Sequence, residues 1–415
     1  MASAMATETS RRSRRLFTPL NVLAISLFAL RFGSMMTAVG LPLLVLHRYG
    51  AGLNAGVTLA LEVLPNVVFG PAVGDLVDRS DPRGYAIVGP LLAAPFLALL
   101  TVTDAMWQIQ VLALLIGVGY LIGLPARMVL RNFVIVPGAE ARGNGVLQAA
   151  QRLPTLLGPA LAALLVPIGY SVLFIVDAAS AVASGLVLLA LPATVRPARA
   201  AASLRRVFTE SIPAVVRIVA ADRALSALTI TSLAYVYAVG MTRLYLAAYA
   251  LGRFPHDSGL FGLLTAATGA GAVVGSMATA RLVKVPQGLL FLVVNLVESA
   301  CWLSVTLCYD AVPAVLVLVL AGFCESVGTV VFWAEAQTRL PREFAGRYFG
   351  MLVPATDACT LLGTVTAGVV VAGGVTVAAC IIAAAMAVPI LALCPLFLSR
   401  SLWRAAEPAQ PTGSR

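Results

Sequence analysis

Residues 11–48 read RRSRRLFTPLNVLAISLFALRFGSMMTAVGLPLLVLHR. Four arginines (Arg11, Arg12, Arg14 and Arg15) precede the stretch 21–46, in which Arg31 is the only charge. About 18 apolar residues suffice to carry a helix across a ~30 Å hydrocarbon core. Eleven more such stretches follow, at 55–74, 85–103, 107–127, 146–166, 170–191, 224–250, 259–280, 288–307, 312–334, 349–371 and 374–398. They are numbered here as spans 1 to 12. In lipid only a helix satisfies its backbone hydrogen bonds within one segment, and spans without period-2 alternation exclude a transmembrane barrel. With 60% hydrophobic and 11% charged residues over 415 positions, no sizeable soluble domain fits. The fold class is an all-α membrane protein of twelve transmembrane helices.

The basic residues orient the chain. Of 28 lysines and arginines, 23 fall at the N-terminal side's breaks, including Arg79, Arg83, Arg127, Arg131, Arg142 and Arg339. Only Arg48 and Arg253 fall in opposite breaks, and Arg31, Arg152 and Arg243 lie within spans. The positive-inside rule places both termini in the cytoplasm. The net charge of +10 is then a topological signal facing anionic lipid and calls for no nucleic-acid partner. Residues 13–17 resemble part of a twin-arginine signal, but the following stretch is too long for a signal core and carries Arg31. Six cysteines, Cys301, Cys308, Cys324, Cys359, Cys380 and Cys394, lack metal-ligand spacing and read as packing residues.

The chain also matches itself at an offset of 205. Met36-Thr37 returns as Met241-Thr242, Gly70 as Gly275, Gly117 as Gly322, and Leu157-Gly158 as Leu362-Gly363. A constant register across four pairs of spans marks a duplicated six-helix unit. The expected organisation is a tail (1–20), a six-helix bundle (21–192), a linker with room for an interfacial helix (193–223), a second bundle (224–398) and a tail (399–415). Gly269, Gly271 and Gly275 on span 8 are spaced for close helix packing.

Between spans 2 and 3 the chain reads Gly74-Asp75-Leu76-Val77-Asp78-Arg79-Ser80-Asp81-Pro82-Arg83. This resembles the signature loop of the major facilitator superfamily, in which Gly74, Leu76, Asp78, Arg79 and Arg83 take the gating-loop positions. Asp81 and Pro82 stand where that pattern has Gly and Arg. Residues 142–163, leading into and along span 5, resemble the macrolide-efflux and enterobactin-exporter branch; Gly158-Pro159 match the start of a motif common in exporters of the superfamily, whose later glycines are alanines here. The resemblance implies two pseudo-symmetric bundles, with spans 1, 4, 7 and 10 lining a cavity and spans 2, 5, 8 and 11 at the interface of the halves. It also implies that Asp78 meets the start of span 11, near residues 346–349.

Eight ionisable residues lie inside spans: Arg31, Glu62, Arg152, Asp177, Arg243, Glu298, Glu325 and Asp357. Each costs about 2.5–3.5 kcal/mol if unpaired at mid-bilayer. Five are acidic and three basic, so at least two carboxyls must be solvated or protonated. Arg31 and Glu62 lie at similar depth, ~15–18 Å in, as an ion pair or as a substrate or proton site. Arg152 and Asp357 occupy equivalent positions with opposite charge and suit a gate, while Arg243 and Glu325 sit on cavity spans. Asp177 and Glu298, on outer spans, are expected in structural pairs. Tyr235, Tyr237, Tyr245, Phe332 and Trp333 are either pocket walls for a flat amphipath or interface anchors.

No nucleophile–base arrangement and no Walker loop is present, so neither an enzyme nor an ATP-driven pump is expected. The leading expectation is a monomeric, proton-driven exporter of an amphipathic small molecule in a bacterial inner membrane. It needs no cofactor beyond the proton gradient, and its partners are the solute, protons and membrane lipid. A polar-solute importer, or a non-transporting sensor on the same scaffold, is the alternative.

Overall fold

Twelve helices carry the twelve apolar stretches in the computed structural model, which describes residues 18–397 apart from 80, 136–139, 193–211, 256–258, 280, 283–284 and 341. The first six are α1 (Pro19–Tyr49), α2 (Leu53–Arg79), α3 (Pro82–Leu99), α4 (Met106–Val134), α5 (Glu140–Leu165) and α6 (Tyr170–Val187). The others are α7 (Arg223–Arg253), α8 (Leu260–Thr279), α9 (Gln287–Ser304), α10 (Ala311–Arg339), α11 (Arg342–Ala372) and α12 (Val375–Ala392). Of the expected linker, residues 193–211 lie outside the described residues, and a short helix, Ile212–Ala221, occupies the rest.

Local chemistry starts these helices. Thr18 Oγ1 accepts from the Asn21 N–H with Pro19 in the first turn, and Asp222 Oδ1 accepts from the Ala224 N–H at 2.8 Å. A side-chain oxygen there satisfies an amide that has no partner within the helix. The Asp81-Pro82 departure from the loop pattern does the same for α3: Asp81 accepts from the Arg83 N–H at 3.0 Å and Pro82 takes the first helical position. Two ends differ from expectation. Helix α4 runs on to Val134, so Arg127 and Arg131 are helical, and α11 begins at Arg342, ahead of residues 346–349.

The 205-residue repeat persists in conformational detail. Gly169 and Gly374 both adopt positive φ, +141° and +123°, and each immediately precedes a helix, α6 and α12. Gly117 of α4 seats against the Glu62 carbonyl of α2, and its counterpart Gly322 of α10 seats against the Thr268 carbonyl of α8. Gly271 and Gly275 of α8 likewise face the carbonyls of Val319 and Phe323. Backbones come this close only where a Cβ is missing.

Two compact units emerge, and they cut across the two sequence halves. The first comprises Met1–Ala201, Leu246–Ala266 and Thr364–Ala372; the second comprises Ala202–Tyr245, Ala267–Gly363 and Gly373–Arg415. In the first, α1 packs on α5 and α6, and α4 on α2 and α3. The same unit holds the Arg253 end of α7, the start of α8 and the end of α11, where Gly262 meets the Pro159 carbonyl and Gly56 the carbonyls of Thr364 and Val365. Arg48 ties the first break to the third, reaching the Thr103 carbonyl at 2.7 Å and Asp104 at 3.2 Å. In the second unit α9 packs on α10 and α12, and Phe291 meets Phe397 with ring centres 5.4 Å apart.

Candidate functional site

The second unit encloses a cavity of about 180 Å³ between α7, α9, α10 and α11. Phe291, Phe332 and Trp333 supply apolar walls, and Tyr235, Asn295, Glu298 and Glu325 supply polar atoms. No lysine or arginine is among its described lining residues. Glu298 is 3% exposed, and its Oε1 accepts both from the Tyr235 hydroxyl at 2.9 Å and from the Trp302 indole at 3.4 Å. Asn295 gives its amide to the Phe291 carbonyl at 2.8 Å, one helical turn earlier. Glu325 lies within electrostatic range of Glu298 and is exposed. The geometry thus sets two carboxyls of like charge beside one aromatic-walled space.

The first unit holds a second polar cluster. Asp177 of α6 is fully buried and accepts from Thr37 of α1 at 2.6 Å and from Tyr120 of α4 at 3.1 Å. Gly33 makes room for it, since a Cβ there would stand 2.5 Å from Asp177 Oδ1. Glu62 and Arg31 both act electrostatically on the Tyr120 hydroxyl, so residues of α1, α2, α4 and α6 converge. Asp177 and Glu298 are therefore held by hydroxyl and indole donors, not in the expected ion pairs; neither has a cationic partner among the described residues. Such donors bind a carboxyl in either protonation state, which a fixed arginine does not.

Arg127 is a third finding. Read from sequence as a break residue, it lies inside α4 and is 1% exposed. Its guanidinium donates to Ser26 Oγ at 3.3 Å, Ser184 Oγ at 2.8 Å and the Gly123 carbonyl at 3.0 Å. Each serine in turn donates to the other's carbonyl, so the node joins α1, α4 and α6.

The other sequence-predicted residues are placed as follows. Gly74, Leu76, Asp78 and Arg79 lie on α2 and Arg142 on α5, with side chains outside the described residues. Arg83 is described, and its guanidinium caps the end of the sixth span through the carbonyls of Leu188 (3.2 Å) and Leu189 (2.8 Å). Arg152 is exposed on α5, and Gly158 of α5 packs against Met35 of α1. Arg243 and Asp357 are half-buried on α7 and α11 and do not line the cavity. Of the five aromatics, Tyr235, Phe332 and Trp333 do line it, whereas Tyr245 is buried edge-on against Trp302. Thr37, Tyr120 and Asn295 were missed. Tyr120 had a signal, because it stands 205 residues before Glu325.

Comparison with known proteins bears on what such an arrangement serves. A family model described as Major Facilitator Superfamily matches residues 23–364. The multidrug efflux pump Tap of Mycolicibacterium fortuitum is 25% identical over 84% of this chain and 88% of its own. Macrolide efflux protein A of Streptococcus pyogenes is 27% identical over 29% of this chain and 31% of its own. Among solved structures, the nucleoside transporter NupG superposes with a TM-score of 0.74, at 12% identity, over 93% of this chain and all of its own. That last likeness speaks to fold alone.

Proposed function

We propose that this chain, which belongs to the Major Facilitator Superfamily, is a secondary active exporter that expels an amphipathic small molecule in exchange for protons. It is a multi-pass membrane transport protein and not an enzyme. The observation that carries the direction is the end-to-end likeness to a multidrug efflux pump. The seat we assign is a bacterial inner membrane with both termini cytoplasmic, on the arginine distribution. Coupling is assigned to carboxyls inside the spans: Glu62 and Glu325 first, with Asp357 in reserve. The burial and hydroxyl partners of Asp177 add it to that group. A proton and a solute that occupy such carboxyls by turns are exchanged across the membrane as the protein alternates its access.

Inverted vesicles, a panel of amphipathic solutes and an imposed pH gradient test this reading. Solute should accumulate when the vesicle interior is acid. Neutralising the true carrier, by Glu62→Gln, Glu325→Gln or Asp177→Asn, should abolish pH-driven accumulation yet leave downhill solute exchange intact, because exchange needs no net proton transfer. Accumulation that follows a sodium gradient and ignores pH would refute proton coupling.

A further inference from the structure

The cavity of the second unit is lined by two carboxyls and, among the described residues, by no lysine or arginine. Both protein hydrogen bonds to Glu298 end on Oε1, and Oε2 has no partner among the described residues although the side chain is 3% exposed. Asn295, 5% exposed, is fixed in orientation because the Phe291 carbonyl can only accept; its amide nitrogen faces that carbonyl and Oδ1 is left over. Glu298 and Asn295 both line the cavity. Glu325 adds a further carboxyl at the exposed side. Two carboxyls with no lysine or arginine among the described lining residues call for positive charge on whatever fills this space. Tyr235, Phe332 and Trp333 present ring faces or edges to the same space, and aromatic faces attract cations.

We propose that this cavity is the head-group site for a protonated amine: an amphipathic ammonium whose N–H groups bind Glu298 Oε2 and Asn295 Oδ1, with Glu325 drawing it in. At about 180 Å³ the space is smaller than the ~300–1,000 Å³ that encloses a drug-sized ligand. It therefore takes the amine end and leaves the apolar body outside. Glu298 belongs to α9, behind the helices that the resemblance assigns to the transport cavity, and Tyr235 occupies its Oε1, which leaves Oε2 for the ligand. Calling the ligand a substrate rests on the exporter reading; the binding itself does not.

Purified full-length protein in detergent, with tritiated propranolol (a protonated secondary alkylamine on an aromatic body) as the probe and its neutral N-acetyl derivative as competitor, tests the proposal without any gradient. The wild type should prefer the amine by on the order of 30-fold or more, the scale of a lost buried charge contact. Glu298→Gln should lose the preference, Glu298→Asp should restore part of it, Asn295→Leu should weaken the amine alone, and Glu335→Gln, outside the cavity, should change nothing. Equal binding of amine and amide by the wild type, no binding of the amine, or full preference in Glu298→Gln overturns the site. Should Glu298→Gln not fold, the wild-type comparison decides alone. Charge-selective binding without pH-driven transport in vesicles refutes the exporter and leaves the site standing; transport without charge preference refutes only the site.

Discussion

At the scale of single residues, the charges inside the spans divide by what holds them. Asp177 and Glu298 are held by hydroxyl and indole donors, whereas Arg127 is held by two serines and a carbonyl, with no carboxylate among the described residues. A buried charge is stabilised only by groups that accept all its hydrogen bonds, and removing the acceptors leaves the desolvation cost behind. Replacing Arg127 itself removes charge and cost together, and the serines still satisfy each other's carbonyls. We therefore expect Ser26→Ala/Ser184→Ala to destabilise the protein by about 2–3 kcal/mol and Arg127→Met to destabilise it less. Unfolding midpoints of the purified variants in one detergent give the order, and Arg127→Met melting below the double variant would contradict this account.

At the scale of elements, the apolar pattern made every span legible, because length and composition suffice to predict a membrane helix. What stayed hidden was rotation about each helix axis. Nothing near Glu298 in the chain says that it points toward α7, and nothing near Arg127 says that α4 continues past it to Val134. An arginine at the edge of an apolar run looks interfacial from sequence, so its burial was unreadable. Asp81-Pro82 was visible as a departure from a pattern but acquires meaning only as the start of α3. The repeat was the better guide at some positions, since the equivalent glycines Gly117 and Gly322 both seat against a carbonyl of the neighbouring helix. It also supplies a test. Gly117→Ala and Gly322→Ala each drive a methyl into a neighbouring helix carbonyl, and should cost about 1–3 kcal/mol or more, seen as lower yield of monodisperse protein. Gly145→Ala, with open space around it, should be neutral or stabilise α5 by about 0.5–1 kcal/mol. Equal behaviour of the three would mean that the close contacts carry no energy.

At the scale of the whole molecule, the polarity of the chain in the membrane follows from where its cations lie. The structure keeps alternate breaks together: Arg48 reaches from the first break to the third, Arg83 from the second to the end of the sixth span, and Arg339 at the end of α10 meets Asp222 at the start of α7 at 3.4 Å. Within each unit these contacts join breaks of one parity, and in the sequence one parity of breaks holds nearly all the arginines even when Arg127 is removed from the count. Positive residues near span ends resist translocation, so the arginine-rich breaks should face the cytoplasm. Reporter fusions after Arg83, Arg206 and Arg342 should accordingly report cytoplasm, and fusions near Arg48 and Arg253 the outside. The two sets carry independent information, because a missing span anywhere between them would invert every fusion downstream while leaving those upstream unchanged. Sidedness that alternates wrongly after one particular span would thus identify the helix that does not cross, and uniform inversion would overturn the charge argument itself.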